Sequence, residues 1–175
     1  YKRQVTYVVE AQASPLIERW MNRMRESVGV EIVPRRDAAR GVLRSLKRNR
    51  VVAMLCDQDA GRAGVFVPFF GRPASTPRGP AVFHLKTGVP MIFGSCPGDR
   101  RGKYRVNFEP LKFTGLIGER ERDERAIMSQ ITARLEADIR LRPEQWLWLH
   151  RRWKTSPERP AASDELHNPP SLAHS

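Results

Sequence analysis

The sequence predicts an α/β domain with a largely parallel sheet flanked by helices. Runs rich in β-branched residues alternate with amphipathic helical stretches, and one run, Val51 to Cys56, is apolar throughout. Strand–helix alternation at this spacing is typical of βαβ units, and a fully apolar strand suits a sheet covered on both faces. A chain of 175 residues has room for one such domain with a single core.

The first half of the chain predicts three strands and two helices. Ser14 and Pro15 provide an N-cap and a first-turn proline, Gly29 ends that helix, and Asp37 can cap the next one. The predicted strands are 5–9, 30–33 and 51–56, and the predicted helices are 15–28 and 38–48. The apolar face of the first helix consists of Leu16, Ile17, Trp20, Met21, Met24 and Val28. The core face of the second helix consists of Ala39, Val42, Leu43 and Leu46.

The second half predicts two helices and an added antiparallel hairpin. Pro68 and Gly71 make a regular central strand improbable within 65–71. Thr76 and Pro77 begin a helix that reaches about Lys86, and a long amphipathic helix ends before Pro143. The predicted hairpin strands are 89–95 and 104–108, and the long helix is 122–141.

Composition limits the class of protein. The net charge is +12, from 31 basic and 19 acidic residues, and such a field attracts nucleic acid, anionic membranes or phosphorylated ligands. No paired Cys/His spacing, basic leucine zipper or RNP motif supports nucleic-acid binding, and no run is long enough to span a bilayer. Cys56 and Cys96 lie in apolar runs and predict buried, reduced thiols. No metal or cofactor site is predicted.

The sequence leads to one prediction about each end of the chain. The chain begins with Tyr1, immediately before a strand-like run and without a signal peptide, so we interpret its N-terminus as a cut or a gap. Residues 155–175 are rich in Pro, Ala, Ser, Asp and Glu and predict a disordered tail. The predicted domain is therefore 1–154.

The motif Asp57-Gln58-Asp59 at the end of the third strand is the strongest candidate for a site. Ligands gather beyond the carboxyl ends of parallel strands, and carboxylates there can hold a sugar or orient a cation. The alternative is that Asp57 caps the turn and its neighbours are solvated.

Three other features have both a functional and a structural interpretation. Phe66, Phe69 and Phe70 can line a groove for a hydrocarbon chain, although such clusters are more often core. Arg25, at the border of the apolar face of its helix, can bind phosphate or simply extend past the core edge. The run from Trp146 to Lys154 interleaves Trp with cations such as Arg151 and Arg152, which suits a membrane interface, base stacking, or docking of the segment on the core.

Two motifs resemble one known family. The run from Leu55 to Asp59 followed by Gly64 to Thr76 (GVFVPFFGRPAST) resembles the central signature of lipid A biosynthesis lauroyl/myristoyl acyltransferases. The run from Pro143 to Lys154 (PEQWLWLHRRWK) resembles the C-terminal signature of that family. Order and spacing agree over about Val5 to Lys154.

The resemblance implies a glycerolipid-acyltransferase-like fold that lacks its N-terminal portion. It implies transfer of a fatty acyl group from acyl carrier protein to a hydroxyl of a phosphorylated glucosamine lipid. It implies that the enzyme works at the anionic, cytoplasmic face of the bacterial inner membrane and that nucleic acid is not a partner. Implied substrate-binding residues are Arg25, Asp57, Gln58, Arg151 and Arg152, and Phe66, Phe69 and Phe70 are candidates for the acyl groove.

The family's catalytic dyad is absent from this sequence. Such acyltransferases use His-x-x-x-x-Asp/Glu, in which the acid orients a histidine that deprotonates the acceptor hydroxyl. Five residues after His84, His150 and His167 are Val89, Thr155 and Leu172, and His174 is too close to the end. We therefore expect the dyad and a membrane anchor upstream of Tyr1, and expect this chain alone to be inactive.

Two other functions remain open from the sequence. One is a basic module that binds nucleic acid or an anionic membrane through an arginine stripe on the second helix. The stripe consists of Arg36, Arg40, Arg44 and Arg48. The other is a related branch of the family that acylates a mannosylated phosphoinositide.

Overall fold

The computed structural model describes residues 4–9, 14–99 and 101–157. Within these ranges, the strands are β1 (Val5–Val9), β2 (Glu31–Pro34), β3 (Val51–Met54), β4 (Val65–Phe69), β5 (Arg72–Thr76), β6 (Met91–Ser95) and β7 (Asn107–Leu111). The helices are α1 (Pro15–Ser27), α2 (Ala38–Lys47), α3 (Gly79–Thr87) and α4 (Arg120–Leu141). Most of the predicted tail, from residue 158 onward, lies outside the described residues, so its disorder stays a prediction.

A small parallel sheet confirms the predicted fold class. β1 lies between β2 and β3 and pairs in parallel with both. Helices α1 and α2 connect these strands, as βαβ units require. Thr6 and Ser45 are both buried and join β1 to α2 through a hydrogen bond of 3.1 Å. β3 is shorter than predicted, and Leu55 just beyond it is 79% exposed.

Two antiparallel hairpins complete the strands. The pairing of β6 with β7 confirms the predicted hairpin, although β7 begins three residues later than expected. The pairing of β4 with β5 was not predicted. Phe70 and Gly71 make its two-residue turn with φ values of 49° and 73°, which is the backbone geometry of tight hairpins. Pro68 is tolerated because, among the described strands, β4 pairs only with β5.

The core lies between the β4–β5 hairpin and α4. Val67 packs with Ala81, Ile127, Met128 and Ile131 in one buried cluster. In a second cluster, Phe69, Ala74 and Ile139 are covered by residues from the end of the chain, including Trp146 and Trp153. The C-terminal signature therefore docks on the core through two of its tryptophans.

Helix α1 turns its polar side toward the sheet. Its half-buried residues include Glu18, Asn22 and Arg25, which form a ladder of hydrogen bonds of 3.0 Å each. Most of its apolar face is exposed, with Leu16 70% and Trp20 62% accessible. On α2, the prediction of a buried Ala39 was wrong, while Val42 is buried. The arginine stripe is exposed, with Arg40 and Arg44 in α2 and its other two members just outside the helix. None of the described helices combines the length and apolar character needed to cross a membrane.

Candidate functional site

Three segments meet at one edge of the domain. Asp57 to Asp59 follow β3, Gly98 follows β6, and residues 143–155, here called the C-terminal segment, pass across both. The Gln145 side chain accepts a hydrogen bond from Gly98 N (3.0 Å) and donates one to Gly98 O (2.8 Å). His150 Nε2 accepts one from Asp59 N at 2.9 Å. The C-terminal segment therefore ties the loop after β3 to the loop after β6.

A cavity of about 550 Å³ lies between β3 and β6. Its wall is mostly apolar, with Val51 and Met54 from β3, Met91 and Phe93 from β6, and Leu135 from α4. β3 is the last strand of its sheet, and β6 pairs only with β7 among the described strands. Each strand therefore has an unpaired backbone edge beside this cavity.

Among the described residues, Asp57 is the carboxylate that faces the cavity. Its side chain is half-buried, and its Oδ1 is shielded from solvent without a hydrogen-bond partner among the described residues. A buried, unpartnered carboxylate oxygen costs folding free energy unless a ligand or another group pairs with it. Gln58 is exposed beside it. Asp57 therefore has an unused hydrogen-bond acceptor beside the cavity.

Asp59 has a different role from Asp57, because its carboxylate is fully engaged within the chain. Oδ1 accepts hydrogen bonds from Gly61 N (2.9 Å) and Thr155 Oγ1 (2.8 Å), and Oδ2 accepts one from Thr155 N (3.2 Å). Desolvation raises the pKa of Asp59, but these hydrogen bonds and the charge of Lys154 outweigh it, so its pKa is lowered from 3.8. Asp59 fastens the end of the C-terminal segment.

We expect T155V to raise the pKa of Asp59 and to lower the free energy of unfolding at neutral pH. A carboxylate with a lowered pKa in the folded state stabilises the fold above its unfolded pKa, and this contribution is lost as pH falls through the folded pKa. Losing the hydroxyl donor brings the folded pKa closer to the unfolded value, so this contribution becomes smaller and stability falls less between neutral and acidic pH. Carboxyl NMR titration measures the pKa, and urea unfolding at neutral pH and below pH 3.8 measures the change in stability. T114V, at an exposed threonine, is the control, and an unchanged Asp59 titration in T155V would contradict the assignment.

Arg151 and Arg152 are separated by the structure. Arg151 is exposed, whereas Arg152 is only 2% exposed. The Arg152 guanidinium donates to Ser75 O and Thr76 Oγ1 at 2.6 Å each and lies over the Phe69 ring, 5.2 Å from its centroid. Its burial leaves no guanidinium face accessible to a lipid phosphate. The predicted substrate-binding role of Arg152 is therefore replaced by a structural one, in which it holds β5 against the C-terminal segment.

Arg25 and the phenylalanine cluster lie away from the cavity. Helix α1 returns the chain to the amino end of β2, so Arg25, near the end of the helix, lies toward the opposite edge of the sheet from Asp57. Phe69 is fully buried in the core, and Phe66 and Phe70 are half-buried. None of these four residues is in the cavity wall. The structure therefore does not bring the predicted acyl-groove residues together with Asp57.

The two described histidines are held by hydrogen bonds. His84 Nδ1 donates to Val89 O at 2.8 Å, and its ring packs edge-on against Phe113. His150 Nε2 is the acceptor from Asp59 N. Neither imidazole is paired with a carboxylate in the way that a catalytic dyad requires.

Both cysteines are free, and the prediction of a buried thiol was wrong for Cys96. Burial, with a smaller contribution from Asp57, raises the pKa of the Cys56 thiol from 9.0 to about 12. Cys96 is exposed, because it follows the end of β6 on the rim of the domain.

Sequence reasoning missed how the C-terminal segment supports this edge. Gln145, His150 and Thr155 each bond to a loop that lies more than 40 positions away in the chain. Thr155 was assigned to the tail, and no spacing in the sequence marks it as the partner of Asp59. Such contacts are set by tertiary structure rather than by local pattern.

The fold and the edge define a class: an α/β domain whose candidate ligand site lies beyond the carboxyl end of a parallel strand. The family model for "Bacterial lipid A biosynthesis acyltransferase" matches residues 1–155. The chain therefore belongs to the bacterial lipid A biosynthesis acyltransferase family, as the two sequence motifs indicated.

Curated relatives agree with this family. The chain is 33% identical over 153 residues to a lipid A biosynthesis lauroyltransferase of Escherichia coli K12, a match that covers 83% of this chain and 47% of the relative. It is 35% identical over 126 residues to a palmitoleoyltransferase of the same pathway and strain, covering 70% and 39%. A phosphatidylinositol mannoside acyltransferase of Mycolicibacterium smegmatis is 30% identical over 154 residues, covering 85% and 48%. The matches span less than half the length of these relatives.

Proposed function

We propose that the complete protein transfers a fatty acyl group to a hydroxyl of a lipid A precursor, a phosphorylated glucosamine lipid. The acyl donor in this proposal is acyl carrier protein, and the location is the cytoplasmic face of the bacterial inner membrane. Family membership supports the class of reaction. The observation that carries the proposal is Asp57, whose buried Oδ1 is unpartnered among the described residues.

Asp57 is proposed to act as a positioning residue. A carboxylate accepts hydrogen bonds from sugar hydroxyls, and it favours a nearby imidazolium when a histidine gains a proton. Either contact occupies the free oxygen at the moment when an acceptor hydroxyl is deprotonated. Gln58 and Arg151, both exposed near this edge, are proposed to contact the polar part of the acceptor. Arg25 is kept only as a candidate for a second phosphate contact, because it lies toward the far edge.

The base in this proposal comes from a segment outside these 175 residues. No histidine of the sequence is followed five residues later by Asp or Glu. The cavity supports a place for that segment, because the unpaired edges of β3 and β6 can both pair with an inserted strand. Such a strand, if parallel to β3, would end beside Asp57. This arrangement would bring a His-x-x-x-x-Asp/Glu dyad and Asp57 to the same edge.

An acyl-transfer assay tests the proposal directly. The complete protein is expected to transfer labelled acyl groups from acyl carrier protein thioesters to a lipid A precursor in mixed micelles, whereas the 175-residue chain is expected to show none. The chain needs a folding control by circular dichroism, so that inactivity is not confused with unfolding. Turnover by the isolated chain would contradict the proposed location of the base.

A second acceptor is supported by three relatives that are phosphatidylinositol mannoside acyltransferases. These relatives have an identity similar to that of the lipid A enzymes. Offering the complete protein a mannosylated phosphoinositide and a lipid A precursor in parallel distinguishes the two acceptors. A kcat/KM that favours the mannosylated lipid would replace the acceptor while leaving the acyl-transfer chemistry in place.

A further inference from the structure

An exposed apolar and cationic surface lies beside the candidate site. Its apolar members are Leu147, Trp148 and Leu149 of the C-terminal segment and Tyr104 from the loop before β7. Leu149 is 90% exposed and Tyr104 75%. We call these four residues the rim surface. Aliphatic side chains with this exposure in a contiguous run typically mark a surface that binds a partner.

Hydrogen bonds hold the rim surface in place. Trp148 Nε1 donates to Pro143 O at 2.7 Å, and Trp148 N donates to Trp146 O at 2.9 Å. The Gln145–Gly98 bonds connect this run to the loop after β6. Gly98 bridges to Tyr104, whose ring lies against it. The exposed side chains are therefore displayed by a fixed backbone, so ordering them costs little on binding.

Cations surround the apolar side chains. Arg101 and Lys103 are exposed beside Tyr104, and Arg151 and Lys154 are exposed just after Leu149. Two exposed acids also lie in this neighbourhood, Asp99 and Glu144, and Asp99 has its Oδ1 occupied by the backbone N–H groups of residues 101 and 103. Apolar and aromatic residues ringed by Arg and Lys complement a bilayer interface with anionic headgroups.

We propose that the rim surface docks on an anionic phospholipid bilayer. Leu147 and Leu149 offer hydrocarbon and no π-face, which suits acyl chains better than stacked nucleobases. The next residue, His150, is bonded to Asp59 N, so docking would hold the loop after β3 at headgroup depth. The proposal rests on the membrane location given under the proposed function, and it names the face of this chain that meets the lipid.

Vesicle binding by the 175-residue chain tests the surface without any catalytic readout. The probes are vesicles of phosphatidylcholine alone and vesicles with added phosphatidylglycerol. The chain is expected to bind the anionic vesicles and to lose at least tenfold in affinity in L147S/L149S. R101Q/K103Q is expected to lose about fivefold for each cation removed, with the loss confined to anionic vesicles.

Matched controls lie on other faces. L16S/I17S removes two exposed apolar residues of α1, and R44Q/R48Q removes one exposed arginine of α2 and another directly after it. Both pairs are expected to bind vesicles like the wild type, and thermal unfolding checks the fold of every variant. Wild-type binding by L147S/L149S would overturn the proposal, and so would losses in the control pairs of equal size. Binding to an oligonucleotide but not to vesicles would identify nucleic acid as the partner instead.

The outcomes separate this surface from the proposed activity. If vesicle binding is lost in L147S/L149S, and the complete protein carrying the same changes remains active in detergent micelles but not on vesicles, the docking surface is supported independently of the chemistry. If the complete protein shows no acyl transfer in either setting while vesicle binding depends on Leu147 and Leu149, the proposed activity is contradicted and the proposed docking surface is supported. Failure of vesicle binding in the wild-type chain would overturn the surface alone.

Discussion

Replacing Arg152 by methionine is expected to lower the free energy of unfolding by about 3 kcal/mol, from two lost hydrogen bonds to buried acceptors at roughly 1–3 kcal/mol each. Ser75 O and Thr76 Oγ1 would each lose a donor inside the protein. Burial lowers the pKa of Arg152, while Asp59 and Asp57 raise it, so its charge is also balanced by the two acids of the site. Methionine keeps an unbranched apolar stem against Phe69 but supplies none of these interactions.

The neighbouring arginine is the control for this prediction. Arg151 is exposed, so R151M is expected to change the free energy of unfolding by less than about 0.5 kcal/mol, as is usual for surface positions. Urea unfolding followed by tryptophan fluorescence measures both variants. Equal stabilities of R151M and R152M would show that the buried guanidinium contributes nothing to the fold.

The contrast between Arg151 and Arg152 could not be predicted from the sequence. The motif identified the segment, and both arginines fit a phosphate-binding role equally well by residue type. The segment has no helical or strand period after Gln145, so no pattern indicates which side chain points inward. Only the docking of Trp146 and Trp153 on Phe69 decides that Arg152 is buried.

The regular elements were predictable because their periodicity is local. α4 was predicted to within two residues at its start, and the β6–β7 hairpin was predicted with its antiparallel direction. The β4–β5 hairpin was missed because Pro68 and Gly71 argue against a regular central strand. In the structure, Gly71 forms the turn with Phe70, and Pro68 pairs with Pro73 across the hairpin. The orientation of α1 was also not predictable from the sequence. Its apolar face was expected to pack against the rest of the domain, whereas in the structure the half-buried side carries the hydrogen-bonded Glu18, Asn22 and Arg25.

Replacing Asp57 by asparagine is expected to lower kcat of the complete protein by about two orders of magnitude, the usual contribution of a positioned acid–base or charge-stabilising group. Asparagine has nearly the same shape, so it keeps the local packing but removes the negative charge. The substitution removes a buried charge whose Oδ1 has no partner among the described residues and also removes the attraction of that charge to Arg152. Because these two effects oppose each other, the free energy of unfolding is expected to stay nearly unchanged. The measurements are steady-state acyl transfer and urea unfolding on the same samples.

The variant D59N is expected to behave in the opposite way. Asp59 accepts three hydrogen bonds, two of them from Thr155, so losing its charge weakens the attachment of the C-terminal segment and lowers stability. Its kcat is expected to fall less than that of D57N at temperatures where it remains folded. Two acids that are two positions apart would then be distinguished by which quantity each one changes. Equal losses of kcat in both variants with unchanged stability would mean that Asp59 also faces the substrate, which would contradict the division of roles between the two carboxylates.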